Sequence, residues 1–304
     1  MQSMQINRAD RLKMAGATFT DEEITRADSL QLKRITAKIL KDAGFRPSRK
    51  LGQNFTINRD YLEKMSISLP TNFEVVLEIG TGLGTLTSFI ASRERLIVSV
   101  EKDPRLFSIA SRVIKSENIS LVLGDGIEIL KKTRIPLVVS STPFSLSVPI
   151  FLKLVRNNHI KMAVLGVQTE VARRITAAPG ESDYGRISVI SSIIFKSEEL
   201  GTFSSSSFFP RPKVSVTIVR LERKKCYDPE VHGMVEELGR CIFTQRNKLA
   251  RKVVENCLKS LYSLSLDDAG GSLTETLREI RVREVSGWMM EELARNVLRA
   301  LRRN

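Results

Sequence analysis

Glu78, Glu101 and Asp125 each lie at or just beyond the end of an apolar run, and the first two flank the turn Gly80-Thr81-Gly82-Leu83-Gly84. A glycine-rich turn after a strand and before a helix lets a ligand lie against backbone, because glycine accepts positive φ and carries no Cβ. A dinucleotide would rest its pyrophosphate on the helix N-terminus beyond such a turn. Glu78 sits two residues before the first glycine, where it repels a pyrophosphate and suits a cation. The sulfonium and ammonium of S-adenosylmethionine are such cations. Glu101 lies about twenty residues beyond the first glycine, the place of an acid that takes ribose hydroxyls. Asp125, between Gly124 and Gly126, is placed for the amino group of adenine.

A second constellation is Ser141-Thr142-Pro143-Phe144. An exocyclic amino nitrogen is a poor nucleophile because its lone pair is delocalised into the ring. A site for its methylation must hold the nitrogen in line with the methyl–sulfur bond and accept its hydrogens as it pyramidalises. The Ser141 hydroxyl and the backbone carbonyl before Pro143 can accept, and the Phe144 ring can stack on the base. No strong general base is needed, since the nitrogen becomes acidic once it carries positive charge. A base reaching this loop must be unstacked, and Phe144 with Phe208 could sandwich it.

The elements that must carry these residues are legible in the hydrophobic pattern. Residues 30–43 show helical spacing, and a further helix starts from Asn58. Apolar runs at 75–79, 96–100, 119–123, 137–140 and 162–167 read as strands, with helical patterns at 86–91, 106–115, 127–131 and 150–155 between them. This alternation predicts an α/β fold with a largely parallel sheet. Residues 187–195 and 214–221 read as two late strands, an antiparallel edge hairpin of the kind seen on methyltransferase sheets. Helices are predicted at 232–244, 245–260 and 289–301. The chain divides into an N-terminal extension (1–30, loosely ordered), a sheet domain (31–222) and a smaller C-terminal all-α domain (223–304).

Composition narrows the class. The 304 residues carry a formal charge of +14 with a pI near 9.9, which favours a polyanionic partner. Residues 31–50 hold seven Lys/Arg against one Asp, among them Arg49 and Lys50, and a second cluster contains Arg246, Lys248, Arg251 and Lys252. Two histidines, His159 and His232, leave little for histidine acid–base or metal chemistry, and no metal is expected. Cys226, Cys241 and Cys257 are odd in number and lack CxxC spacing, which fits a reducing cytoplasm. No apolar run reaches the length of a membrane span, and the N-terminus resembles neither a signal nor a transit peptide.

With these motifs in hand, the chain resembles the rRNA adenine N6,N6-dimethyltransferases, the KsgA-type enzymes and dimethyladenosine transferases. The resemblance spans about residues 33–290. It rests on Leu51-Gly52-Gln53-Asn54-Phe55, the EIGTGLGTLT turn, the Glu101 and Gly124-Asp125 strand ends, QTEVARR at 168–174 with DYGRIS at 183–188, FFPRPKV at 208–214 and FTQRNK at 243–248. It implies a Rossmann-like class I methyltransferase sheet and S-adenosyl-L-methionine as cofactor. The implied substrate is two adjacent adenosines in the 3′-terminal hairpin of small-subunit rRNA within a pre-ribosomal particle, and the enzyme would work as a cytoplasmic monomer. Gln53, Asn54, Thr56, Gly82 and Ser141 would line the cofactor, Gly80 would meet its methionine part, and Ser141, Pro143 and Phe144 would hold the base. Phe208 resembles the second stacking aromatic, and the basic 245–252 segment resembles the rRNA-docking module. The family usually has Asn at position 141, Leu at 56 and Tyr at 144. A shorter acceptor at 141 leaves open an assembly or RNA-binding factor with feeble chemistry, which a large rate gain in Ser141→Asn would reveal. A large-subunit adenine methylase of the macrolide-resistance type shares the motifs but not the long basic C-terminal segment.

Overall fold

The computed structural model describes residues 19–48, 52–91, 95–269 and 271–303. Two N-terminal helices, α1 (Asp21–Arg26) and α2 (Ser29–Asp42), precede a short strand β1 (Phe55–Thr56) and helix α3 (Arg59–Ile67). Five strand–helix units follow: β2 (Val75–Ile79) with α4 (Thr85–Ala91), β3 (Leu96–Glu101) with α5 (Pro104–Val113), β4 (Ile119–Leu123) with α6 (Gly126–Lys132), β5 (Leu137–Ser141) with α7 (Ser147–Arg156), and β6 (Met162–Gln168) with α8 (Thr169–Thr176). Then come α9 (Arg186–Ile194), β7 (Phe195–Phe203), β8 (Phe208–Phe209) and β9 (Val216–Arg223). The C-terminal part is helical: α10 (Pro229–Ile242), α11 (Ala250–Tyr262), α12 (Leu266–Ala269), α13 (Leu273–Glu279) and α14 (Gly287–Leu301).

The sheet runs β4-β3-β2-β5-β6-β9-β7, with β2 to β6 parallel and β9 antiparallel to both its neighbours. Strand order reverses between β2 and β5. In an open α/β sheet the crevice outside the carboxyl ends of the strands, at that reversal, is where ligands bind. The glycine turn after β2 and the Ser141 loop after β5 both open there. Strands β1 and β8 form a separate two-stranded ribbon that bridges to the same crevice, Thr56 opposite Phe208.

Two expectations are corrected by the structure, and one feature goes beyond them. Residues 187–194 are helix, not strand; only Phe195 begins β7. The helix starts where Gly185 N–H donates to Ser188 Oγ, and it is buried along most of its length between sheet and C-terminal helices. Gly287 packs so closely on it that a Cβ there would lie 2.4 Å from Ser192 Oγ. Tertiary enclosure overrides the β propensity of its Val and Ile residues. The stretch expected to be loosely ordered contains α1, whose Thr20 caps Glu23 and whose Ile24 is buried; Asp21 accepts from the backbone and hydroxyl of Ser116. Residues 1–18 lie outside the described residues. Finally, Cys241 and Cys257 form a disulfide, with Cα atoms 5.9 Å apart, while Cys226 is free. The turn between α10 and α11 folds the two helices against each other, a proximity that a separation of 16 residues does not announce.

One continuous apolar cluster holds the outer sheet face and the C-terminal helices together, including Leu77, Leu165 and Leu221 from strands and Leu238, Val254 and Leu293 from α10, α11 and α14. The DYGRIS block is the joint: Tyr184 is fully buried, its hydroxyl donates to Val285 O at 2.9 Å, and Ser188 Oγ donates to Arg174 O at 2.6 Å. Among the described residues no helix is long and apolar enough to cross a membrane.

Candidate active site

The carboxyl ends of β2, β3, β4 and β5 enclose a cavity of about 570 Å³. Gln53, Asn54, Thr56, Gly80, Gly82, Glu101, Asp125, Ser141 and Pro143, all expected from the sequence, line it. Gly80, Gly82 and Gly84 have φ of +88°, +59° and +85°, so the turn needs glycine for its backbone path. Gly82 N–H donates to Glu101 Oε2 at 2.8 Å and Asp103 N–H donates to Oε1 at 2.8 Å. These bonds fix the Glu101 carboxylate at the tip of β3 and leave lone pairs for hydroxyl donors. Burial raises its pKa.

Asp125 caps α6 through Ile127 N–H and pairs with Lys102 Nζ at 2.7 Å, which lowers its pKa. Asp103 caps α5, and its contact with the Arg105 guanidinium holds it down to about 2. It also accepts from Gln53 Nε2 at 3.1 Å, so an α5 cap orients a residue of the entering N-terminal loop. Two motifs far apart in the chain meet here. Gly52 (φ +67°) lies so close to the loop after β5 that a Cβ on it would stand 3.1 Å from Phe144 N and 3.3 Å from Pro143 Cβ. Thr56 Oγ1, buried in the wall, has no hydrogen-bond partner among the described residues, and so is available to a bound polar group.

Glu78, expected at the cofactor, is elsewhere. It is fully buried behind the glycine turn and is not a lining residue. Its Oε2 accepts from Thr87 Oγ1 and Ser99 Oγ, both at 2.6 Å, while Oε1 has no partner among the described residues. Burial pushes its pKa up to about 7, opposed by the two hydroxyls and reinforced by the Glu101 charge. The inward alternation of a central strand puts every second side chain of β2 into the layer between sheet and helices, and Glu78 falls in that register. Phe208 is likewise buried, its ring edge-on to Tyr61 at 5.2 Å, and does not face the cavity. Phe144 is half-buried and opens a short 3-10 turn beside Pro143, at the edge of the cavity and outside its lining.

The expected basic helix over 245–252 is a turn as far as Leu249, with α11 beginning at Ala250. Lys248 O accepts from Val282 N and Arg246 O from Arg283 N, pinning the turn to the segment before α14. Arg246 itself donates to the carbonyls of Glu181 and Ser182, a structural use. Lys248 and Lys252 are exposed and Arg251 is half-exposed. Arg49 and Lys50 lie outside the described residues.

One residue escaped the sequence reading. Tyr61, in α3, is fully buried, and its hydroxyl lies 3.0 Å from Ser141 Oγ. Gly166, opposite Ser141 in the β5–β6 register, makes room for it: a Cβ there would sit 1.9 Å from Tyr61 Oη. A lone glycine inside the apolar strand MAVLGVQ was the available signal, since mid-strand glycine marks close approach by another group.

The pocket chemistry fits S-adenosylmethionine: a glycine cradle without side chains, a fixed strand-tip carboxylate, a second acid at the next strand, and an unpartnered wall hydroxyl. The comparisons agree. Residues 44–267 match the family described as ribosomal RNA adenine dimethylase. The probable ribosomal RNA small subunit methyltransferase A of Aeropyrum pernix is 40% identical over 224 residues, covering 72% of this chain and 78% of the relative. Ribosomal RNA small subunit methyltransferase A of Halothermothrix orenii is 31% identical over 259 residues, 81% of this chain and 84% of its own. Among solved structures, a dimethyladenosine transferase from Plasmodium falciparum aligns with a TM-score of 0.66 at 23% identity, over 79% of this chain and 95% of that one. The 23S rRNA methyltransferase ErmE aligns at 0.53 and 24%, over 80% and 99%; both show the shared fold. Matched over most of its length by family and relatives alike, the chain belongs to the ribosomal RNA adenine dimethylase family, enzymes that depend on S-adenosylmethionine.

Proposed function

We propose that this protein dimethylates the N6 amino groups of two adjacent adenosines in the 3′-terminal hairpin of small-subunit rRNA. It would act as a cytoplasmic monomer on a pre-ribosomal particle, the helical part beyond about residue 223 docking on rRNA. The observation that carries the reading is the meeting of Ser141 and Pro143 with the strand-tip acids in one cavity, closed from the other side by Gly52–Thr56. S-adenosylmethionine supplies an electrophilic methyl group when bound. Glu101 would hold its ribose, Asp125 its adenine and the Gly80–Gly82 backbone its methionine end. Ser141 Oγ and the Thr142 carbonyl would accept the amino hydrogens of the target, drawing density onto the nitrogen as it turns pyramidal. Phe144 would stack on the extruded base from the edge of the cavity.

Labelled methyl donor, purified protein and small subunits taken from immature or mature ribosomes test this. Transfer to immature subunits and little to mature ribosomes is expected. Absence of transfer to every immature preparation contradicts the proposal.

A further inference from the structure

We infer that Tyr61 is a positioning residue for methyl transfer, its buried hydroxyl orienting Ser141 Oγ toward the target amino group; the inference rests on the proposed reading that Ser141 faces that group. Ser141 lines the cavity and Tyr61 does not, so the Tyr61 hydroxyl approaches Ser141 from the protein side. A serine hydroxyl has one hydrogen and two lone pairs. Left alone it rotates and can turn its hydrogen toward the nitrogen whose hydrogens it must accept. With Tyr61 Oη 3.0 Å away, the hydrogen of either hydroxyl can lie between the two oxygens. In either sense of that bond at least one Ser141 lone pair remains for the cavity. When Ser141 is the donor, its oxygen becomes the stronger acceptor.

The surroundings fix the tyrosine tightly. Asn58 caps α3 by accepting the Tyr61 backbone N–H at 2.9 Å. The ring is held edge-on by Phe203 and Phe208, each at 5.2 Å. Phe208, expected to stack on the base, thus contributes through Tyr61. Gly166 makes the arrangement possible, since a methyl group there would occupy the place of the hydroxyl oxygen. The Gly166 backbone is also engaged, its carbonyl accepting from Thr142 N–H at 3.0 Å, so strand, loop and tyrosine form one unit around Ser141. The raised Tyr61 pKa follows from its burial and keeps the phenol protonated. A short side chain at position 141 thereby acquires a defined direction.

The test is a double-mutant cycle in methylation kinetics, with cofactor affinity and thermal unfolding measured on each variant. Tyr61→Phe should lower kcat by about tenfold to a hundredfold, below the roughly hundredfold to thousandfold of losing a transition-state contact outright because Ser141 itself remains, with KM for rRNA and cofactor affinity unchanged. In a Ser141→Ala background the same change should have no further effect on rate. Gly166→Ala, which expels the hydroxyl by contact, should reproduce the kcat loss. Ser141→Asn with Tyr61→Phe should recover rate, because an amide oxygen accepts without a hydroxyl partner. If Ser141→Ala slows transfer and folded Tyr61→Phe does not, the positioning role is overturned while the reading of Ser141 stands. If Ser141→Ala leaves the rate intact, that reading falls and the role of Tyr61 with it. A Tyr61→Phe loss that persists in full in the Ser141→Ala background also overturns it.

Discussion

Replacing Glu78 by Gln should change how stability depends on pH, by an amount the structure sets. The carboxyl is fully buried, with hydroxyls on one oxygen and, among the described residues, no partner on the other, and its pKa rises from 4.5 to about 7. Below 4.5 folded and unfolded chains are both protonated here, so the group adds no pH dependence. Between 4.5 and about 7 the unfolded chain loses its proton while the folded one keeps it, so stability falls as pH rises. Above about 7 the loss is complete. The interval corresponds to about 3 kcal/mol. The glutamine amide would keep an oxygen for Thr87 and Ser99 and never ionise. Urea unfolding of both proteins across this range gives the difference directly. Stability of Glu78→Gln minus that of the parent should grow by about 3 kcal/mol from acid to neutral pH. Burial also raises the Glu101 pKa, but Glu101 is common to both chains and largely cancels. Parallel curves would show that Glu78 is ionised in the folded state and that its burial has been misjudged.

Other consequences are equally open to measurement. Glu101→Gln should weaken cofactor binding at least about tenfold by calorimetry, since bonds to a charged acceptor contribute about 1.5–3 kcal/mol each; an unchanged affinity would remove Glu101 from the ribose. Reducing Cys241–Cys257, which spans 16 residues, should lower unfolding stability by about 3 kcal/mol. Coincident urea curves with and without reductant would contradict that. Lys248 and Lys252 are exposed and, among the described residues, in no ion pair. Replacing both by Ala should flatten the log–log salt dependence of rRNA binding, by roughly 0.7–0.9 in slope for each phosphate no longer neutralised; an unchanged slope would place docking elsewhere.

Strands β2 and β4 were legible residue for residue because each is an apolar run bounded by polar or glycine-rich turns. The cavity was legible too, because its acids sit at strand ends, where position along the chain and position in space coincide. Glu78 was misplaced since the period of two in a strand decides which side a residue faces, and the run VVLEI is buried on both sides. Helix α9 was missed because its Val and Ile residues favour strand in isolation, while its burial between the sheet and the C-terminal helices is a tertiary feature. Tyr61 lies 80 residues from Ser141, and neither shows the other in the sequence. Position 166 was the clue.

Methyl transfer itself is most directly settled by mass spectrometry of nuclease fragments from small-subunit rRNA treated with this protein and a labelled donor. Dimethyladenosine at two adjacent positions of the 3′-terminal hairpin, absent without the protein, is the expected result. Label elsewhere, or none while the donor is bound, would contradict the assignment of substrate and reaction.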